Sequence, residues 1–170
     1  MTYTIRTLRA DEVPLWLDFM CHEIFPDDPR EAVESMWTED PIKDVTGIFI
    51  AESTDGRIIA SVKAACRDLS FGGTAVRTAI ISGVGVRNDF RGQGVIRRLF
   101  AACDAEMIAR GAQIAHLYSN PDTREFYLHM GYLHPARRPG EDYYRMFRLL
   151  APVSVNGTEI RSTLDLLSLL

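Results

Sequence analysis

Residues 82 to 97 read S-G-V-G-V-R-N-D-F-R-G-Q-G-V-I-R, with four glycines in twelve positions and arginines on both sides of the tightest pair. The first half, I-I-S-G-V-G-V from Ile80, is apolar apart from Ser82 and has strand character. Glycine weakens a strand interior, so Gly83 and Gly85 mark a close approach of something to the backbone, or a bulge without a ligand. The second half, R-G-Q-G-V-I-R, precedes a helical pattern that starts near Val95. A helix's first turn carries unpaired N–H groups and a partial positive charge, and flanking glycines let a phosphate group reach them. Arg91, Arg97 and Arg98 stand where they would add charge. Arginines there oppose the helix dipole, and a bound anion would relieve the conflict. The plain alternative is that Arg97 and Arg98 are solvated surface residues. Two familiar phosphate-binding patterns fail. No Lys-Ser or Lys-Thr follows as a P-loop requires. The dinucleotide fingerprint lacks its third glycine, because Arg97 stands there.

These residues must be held by elements that the hydrophobic period defines. Residues 3 to 8 alternate as a first strand. Asp11 then opens a helix with Val13, Trp16, Leu17, Met20, Cys21 and Ile24 on one face. The spacing predicts a second helix with Asp28 as N-cap, Pro29 in the first turn and Glu31 closing a capping box; Val33, Met36 and Trp37 form its apolar face. Strands follow at 47–52 and 57–65 around an Asp-Gly turn, and a longer one runs from about Ala75 to Val86. A helix marked by Ile96, Leu99, Phe100, Cys103 and Met107 stops at Gly111. Then come a strand at 112–118, a short helix at 120–132, a strand at 142–150, an Asn-Gly hairpin and a last short helix. The order β-α-α-β-β-β-α-β-α-β predicts an α/β (α+β) fold: a mixed, mostly antiparallel sheet of about six to seven strands flanked by helices. No internal repeat or linker divides the chain. Residues 1–150 are expected to form one domain and 151–170 a hairpin and helix extending it.

With those elements in place, the glycine stretch resembles motif A of the GNAT superfamily of acetyl-coenzyme A-dependent N-acetyltransferases. That motif is an alternating apolar strand followed by [QR]-x-x-G-x-[GA] opening a helix. Val84 and Val86 match the strand residues, and Arg91, Gly92, Gln93, Gly94, Val95 and Ile96 occupy the six positions. The last departs from the pattern, since Ile96 stands where Gly or Ala is usual. A second pattern, N-x-x-[AV]-x-x-F-Y-x-x-x-G-[FY], matches at Asn120, Phe126, Tyr127, Gly131 and Tyr132; Thr123 and Arg124 lie where small residues are more usual. The likeness spans about residues 3 to 150 and implies a single-domain GNAT-like fold.

The resemblance implies acetyl-CoA as cosubstrate. The backbone of Val84, Gly85 and Val86 would hold the pantetheine arm like an added strand, Arg91, Gly92, Gln93, Gly94, Val95, Ile96 and Arg97 the pyrophosphate, and Asn120 the cofactor arm. A neutral amine attacks the thioester, a backbone N–H of Val84 or Val86 stabilises the oxyanion, and Tyr127 is the general acid for the departing thiolate. The plain alternative for Tyr127 is a packed ring. The glutamate some members carry on the long strand would fall at Ile80, so that base is missing, and Ser82 alone is too weak. His22, Glu23, Asp68, His116, Glu141 and Asp142 stay open as candidates, with His116 more in keeping with a structural strand histidine; His129 and His134 have no special warrant. A water chain would also serve. A non-catalytic acyl-CoA-sensing or protein-interaction module is the competing reading.

In this fold the acceptor is expected between C-H-E-I-F-P-D-D at 21–28 and R-R-P-G-E-D at 137–142. Glu23, Asp27 and Asp28 would favour an amine of a small molecule or peptide, though Asp28 is equally a helix cap. A net charge of −4 over 170 residues argues against a nucleic-acid partner. No apolar run approaches membrane-span length, and the N-terminus lacks an apolar signal core, so a cytoplasmic location is expected. Three cysteines without a CxxC argue against a disulfide framework and against a metal site. Cys21 and Cys103 fall on apolar helix faces, and no histidine is placed to activate any of the three. The tail L-D-L-L-S-L-L could serve an interface, so a homodimer is possible.

Overall fold

The computed structural model describes residues 2–137 and 140–170. Its strands are β1 (Tyr3–Thr7), β2 (Ile48–Ser53), β3 (Ile58–Phe71), β4 (Thr74–Val86), β5 (Ile114–Ser119), β6 (Tyr144–Leu149), β7 (Val153–Val155) and β8 (Thr158–Ile160). Its α-helices are α1 (Val13–Phe19), α2 (Arg30–Thr38), α3 (Val95–Ala109), α4 (Pro121–His129) and α5 (Thr163–Leu167). One sheet has the order β1-β2-β3-β4-β5-β6, and β7 and β8 form a separate hairpin. The β1–β2, β2–β3 and β5–β6 pairs are antiparallel, and β4–β5 is parallel. Gly72 and Gly73, at φ +55° and +90°, join β3 to β4; only an antiparallel pair closes through two residues, and both must accept positive φ. The fold is thus the mixed, mostly antiparallel α/β arrangement that the sequence pattern predicts.

The chain resolves into two compact units, Met1–Ala65 with Gly83–Cys103, and Cys66–Ser82 with Asp104–Leu170. In the first, Leu8, Trp16, Leu17, Phe19, Met20, Val33, Ile48, Ile50 and Ile58 form an apolar cluster. Trp16 joins it because its indole N–H donates to the buried Ser61 hydroxyl at 2.8 Å. Arg6 binds Glu12 at 2.7 Å and Glu52 at 2.9 Å, which ties the start of α1 to the β1–β2 pair. In the second, Phe71, Val76, Ile114, Phe147, Val153, Val155, Ile160 and Leu166 cluster, so the β7–β8 hairpin and α5 are packed elements of that unit. Arg148 donates to Asp104 at 2.5 Å and to the Met130 carbonyl at 3.2 Å, joining α3, the end of α4 and β6.

Two local expectations are corrected. Helix α2 starts at Arg30 with Pro29 as its N-cap, and no side chain caps it; Asp28 is exposed and the Asp28–Glu31 box does not form. Proline's fixed φ and missing N–H suit that boundary without a cap. On the same helix Val33 is buried, but Met36 is half exposed. Beyond α1 the chain widens into a π turn at Met20–Ile24, where the Phe25 N–H reaches the Met20 carbonyl at 2.9 Å. The hairpin of β7 and β8 has the expected Asn-Gly turn, with φ of 50° at Asn156 and 79° at Gly157.

Candidate functional site

The C-terminal half of β4 carries the first set of expected residues. Pairing between β4 and β5 is confined to Thr78–Ile80 against Ile114–His116 among the described residues, while β4 runs on to Val86. The last four positions, Gly83 to Val86, are half-buried. Gly83 has φ +55°, a left-handed conformation that favours glycine inside a strand. Gly85 is glycine for a different reason: a Cβ built there would lie 2.5 Å from Ile24 Cγ1 and 2.8 Å from Ile24 Cδ1. The π turn after α1 presses Ile24 onto this backbone, and only a residue without Cβ admits it. Both strand glycines therefore answer demands within the chain itself.

Just past β4, Arg87 anchors the strand end. Its backbone N–H donates to the Ile59 carbonyl at 2.9 Å, its Nε to the Ile58 carbonyl at 2.9 Å, and its Nη1 to Glu23 Oε1 at 2.8 Å. A short turn at Asn88–Phe90 buries Phe90 and leads into the glycine pair. Gly92 and Gly94 lie at φ +74° and +73°, and a Cβ at either would meet nothing within 4 Å. Backbone conformation, and not crowding, requires glycine there, and the space beside the loop is open. The Gln93 side chain turns back to the Asp89 carbonyl at 3.0 Å. The Arg98 N–H donates to the Gly94 carbonyl at 3.2 Å, so the N–H groups of Val95, Ile96 and Arg97 precede the first helical bond of α3. Arg91 and Arg97 are exposed on this turn, whereas Val95 and Ile96 are buried. Ile96, the departure from the family pattern, continues the core face formed by Leu99, Phe100 and Cys103. Its bulk points into packing and leaves the exposed side of the turn unchanged. Arg98 lies over the Tyr3 ring at 5.8 Å.

The second set lies on α4. Asn120 is the helix N-cap: its Oδ1 accepts from the Thr123 N–H at 2.9 Å and from the Thr123 hydroxyl at 2.7 Å. Thr123, where a small apolar residue is usual, thus serves the cap and also contacts the Ser119 hydroxyl at 3.0 Å. The helix ends in a Schellman arrangement around Gly131 at φ +83°, with Tyr132 N–H on the Tyr127 carbonyl and Gly131 N–H on the Leu128 carbonyl, both at 3.0 Å. This explains the Tyr-x-x-x-Gly-Tyr spacing physically. Tyr127 is 7% exposed, its ring edge-on to Phe126 and Tyr132, and burial pushes its phenol up to about 12.

The candidate bases are placed as follows. Glu23 is bound by Arg87. His22 is exposed, with its Nδ1 2.6 Å from the Asp18 carbonyl. Asp68 lies 3.3 Å from Arg77, Glu141 lies 3.7 Å from Arg145, and Asp142 is exposed. His116 is a structural histidine: it is buried, stacks on Phe147 at 4.5 Å, and donates from Nδ1 to the Met146 carbonyl at 3.0 Å. Burial lowers its pKa by disfavouring the charged imidazolium. Of the loop at 137–142, Arg138 and Pro139 lie outside the described residues. Cys103 is buried as expected, while Cys21 is half-buried, and half-buried Cys66 touches Met107 at 3.6 Å. No helix among the described residues is long and apolar enough to cross a membrane.

A glycine-opened helix N-terminus after a strand, in a mixed sheet of this order, offers a turn suited to an anion on an α/β scaffold, and comparison with known proteins gives its family. A sequence model of the acetyltransferase (GNAT) domain matches residues 4–134, so the chain belongs to that family. Its fold is similar to that of a GNAT family N-acetyltransferase from Escherichia coli (YhbS) solved in complex with CoA, at 18% identity and TM-score 0.69, covering 88% of this chain and 82% of that one. It is also similar to a GCN5-related N-acetyltransferase from Kribbella flavida, at 23% identity and TM-score 0.65, and to a probable N-acyltransferase from Enterococcus faecalis, at 18% identity and TM-score 0.59. Each match covers 79% of this chain, which spans only 34% and 33% of those two.

Proposed function

We propose that this chain is a cytoplasmic N-acetyltransferase that moves an acetyl group from acetyl-CoA to a primary amine of a small molecule or peptide by direct attack. The observation that carries the reading is the turn at Arg91–Arg97. Two glycines in left-handed conformation expose the first-turn N–H groups of α3, beside two exposed arginines and open space. That donor set suits a pyrophosphate. Bound acetyl-CoA supplies the thioester. The Val84–Val86 backbone orients the pantetheine arm, and an N–H of Val84 or Val86 steadies the developing oxyanion. Asn120, whose Oδ1 is committed to the cap, offers its Nδ2 to the cofactor arm. Tyr127, protonated throughout the neutral range because burial raises its pKa, donates to the leaving thiolate. The catalytic domain comprises residues 1–150, with 151–170 as its extension, and a homodimer is compatible with the exposed Leu164, Leu169 and Leu170.

Two observations favour the second reading, a CoA-sensing module without transfer: Ile80 stands where a base would be, and Glu23 is held by Arg87. A thermal shift followed by thiol release separates the two. CoA at about 100 times its Kd adds ~2.7 kcal/mol, or roughly 5–10 °C in Tm for a chain of this length. Amine-dependent thiol release supports the enzyme; stabilisation without release on a broad amine panel supports the module; no stabilisation refutes both.

A further inference from the structure

Away from the glycine turn, the second unit gathers cations around one aromatic ring. Tyr144, at the start of β6, has the Arg124 guanidinium 5.2 Å from its ring centroid and the Arg137 guanidinium 5.3 Å from it. The His134 ring packs against the same tyrosine at 4.7 Å. Arg124 comes from α4, whereas Arg137 and His134 come from the segment between α4 and β6. Separate parts of the chain thus bring two permanent positive charges to a single half-buried ring.

The arrangement is pre-set. Arg124 Nε donates to His134 Nε2 at 2.9 Å, which makes Nε2 the acceptor. His134 Nδ1 then carries the proton and donates to the Pro135 carbonyl at 2.9 Å. The imidazole fixes the guanidinium plane in the way a second residue orients a ligand-binding one. The charges are poorly compensated. Glu125 pairs with Arg124, but its side chain is 68% exposed, and such a pair is weak in water. Glu141 lies 3.7 Å from Arg145. Arg137 has no carboxylate partner among the described residues, and its guanidinium lies over the Tyr144 ring. Holding two guanidiniums at one ring with a single exposed carboxylate beside one of them leaves much of their repulsion unrelieved, while the forked N–H donors of arginine match an oxyanion's geometry.

We propose that Arg124, Arg137 and Tyr144, with His134 as the positioning residue for Arg124, form a binding site for the carboxylate or phosphate group of a small molecule. This goes beyond acetyl transfer and does not depend on it.

The test is NMR on the full chain, following the Arg124 Nε–H and Tyr144 ring resonances. The probes are succinate and inorganic phosphate, added separately, with sodium chloride at matched ionic strength as control. A saturable shift with one probe beyond the chloride response supports the site, and the probe that binds more tightly identifies the source as carboxylate or phosphate. Arg137→Gln, at an exposed residue with no carboxylate partner among the described residues, should weaken that binding about tenfold, and Arg124→Gln at least as much. Arg161→Gln, an exposed arginine elsewhere in the same unit, should leave it unchanged. Absence of any saturable shift, or binding in the Arg137 and Arg124 variants unchanged from wild type, would overturn the proposal, whether or not CoA binds.

Discussion

Gly85→Ala should destabilise the protein through Ile24, and the size of the effect follows from the contact. The added Cβ would stand 2.5 Å from Ile24 Cγ1 and 2.8 Å from Cδ1, well inside van der Waals contact. Ile24 cannot swing away freely, because β-branching stiffens its χ1, so the turn at Met20–Ile24 must shift. Overpacking of this kind costs about 1–3 kcal/mol. Gly85 does not have a positive φ, so alanine accepts the backbone, and removing a strand glycine returns about 0.5–1 kcal/mol. The net expected loss is about 0–2.5 kcal/mol. Ile24→Ala alone loses a half-buried side chain, about 1–2 kcal/mol. In the double variant the clash has nothing to strike, so its loss should fall short of the sum by at least ~1 kcal/mol. Urea denaturation of the four proteins measures this. Losses that add within about 0.3–0.5 kcal/mol would refute the claim that Gly85 exists to seat Ile24.

Other perturbations have different signatures. Gly92→Ala meets no atom, so its cost is the left-handed backbone alone, about 1–2 kcal/mol; CoA affinity should fall roughly 5–30-fold, and calorimetry showing less than a twofold change would remove this turn from the cradle. Tyr127→Phe should lower turnover by about 10²–10⁴ with CoA affinity nearly unchanged; an unaltered kcat would exclude the acid role. Arg6 holds the Glu12 carboxyl down to about 2 from its ordinary 4.5. The unfolded chain therefore takes up that proton first, and the stability Glu12 contributes is complete above about 4.5 and drains away as pH falls toward 2. The stability gap between wild type and Glu12→Gln should narrow over that window in denaturation curves, and a gap constant with pH would contradict the assignment.

Much of this fold could be read from local pattern. The element order, the Asn-Gly hairpin and the helix opening at Val95 depend on neighbours in sequence, and each is where its residues predict. The α2 cap failed because two local rules competed: Asp28 suits a cap, but Pro29 next to it ends the non-helical stretch with its own fixed φ. Gly85 was legible as a point of close approach, but not what approaches, since Ile24 lies sixty-one residues earlier and meets it only after folding. The cluster at Tyr144 was hidden for the same reason: nothing in the spacing of Arg124, His134 and Arg137 announces a shared ring. Glu23 had the chemistry of a base by type alone, and its commitment to Arg87 is a long-range pairing no period encodes.

The most direct measurement is free thiol released from acetyl-CoA as a function of added amine, read continuously with a thiol reagent. Acetyl transfer to an amine predicts release that requires both acetyl-CoA and an amine, and that collapses in Gly92→Ala at subsaturating cofactor. A protein that is stabilised by CoA yet releases no thiol with any small-molecule or peptide amine would contradict it.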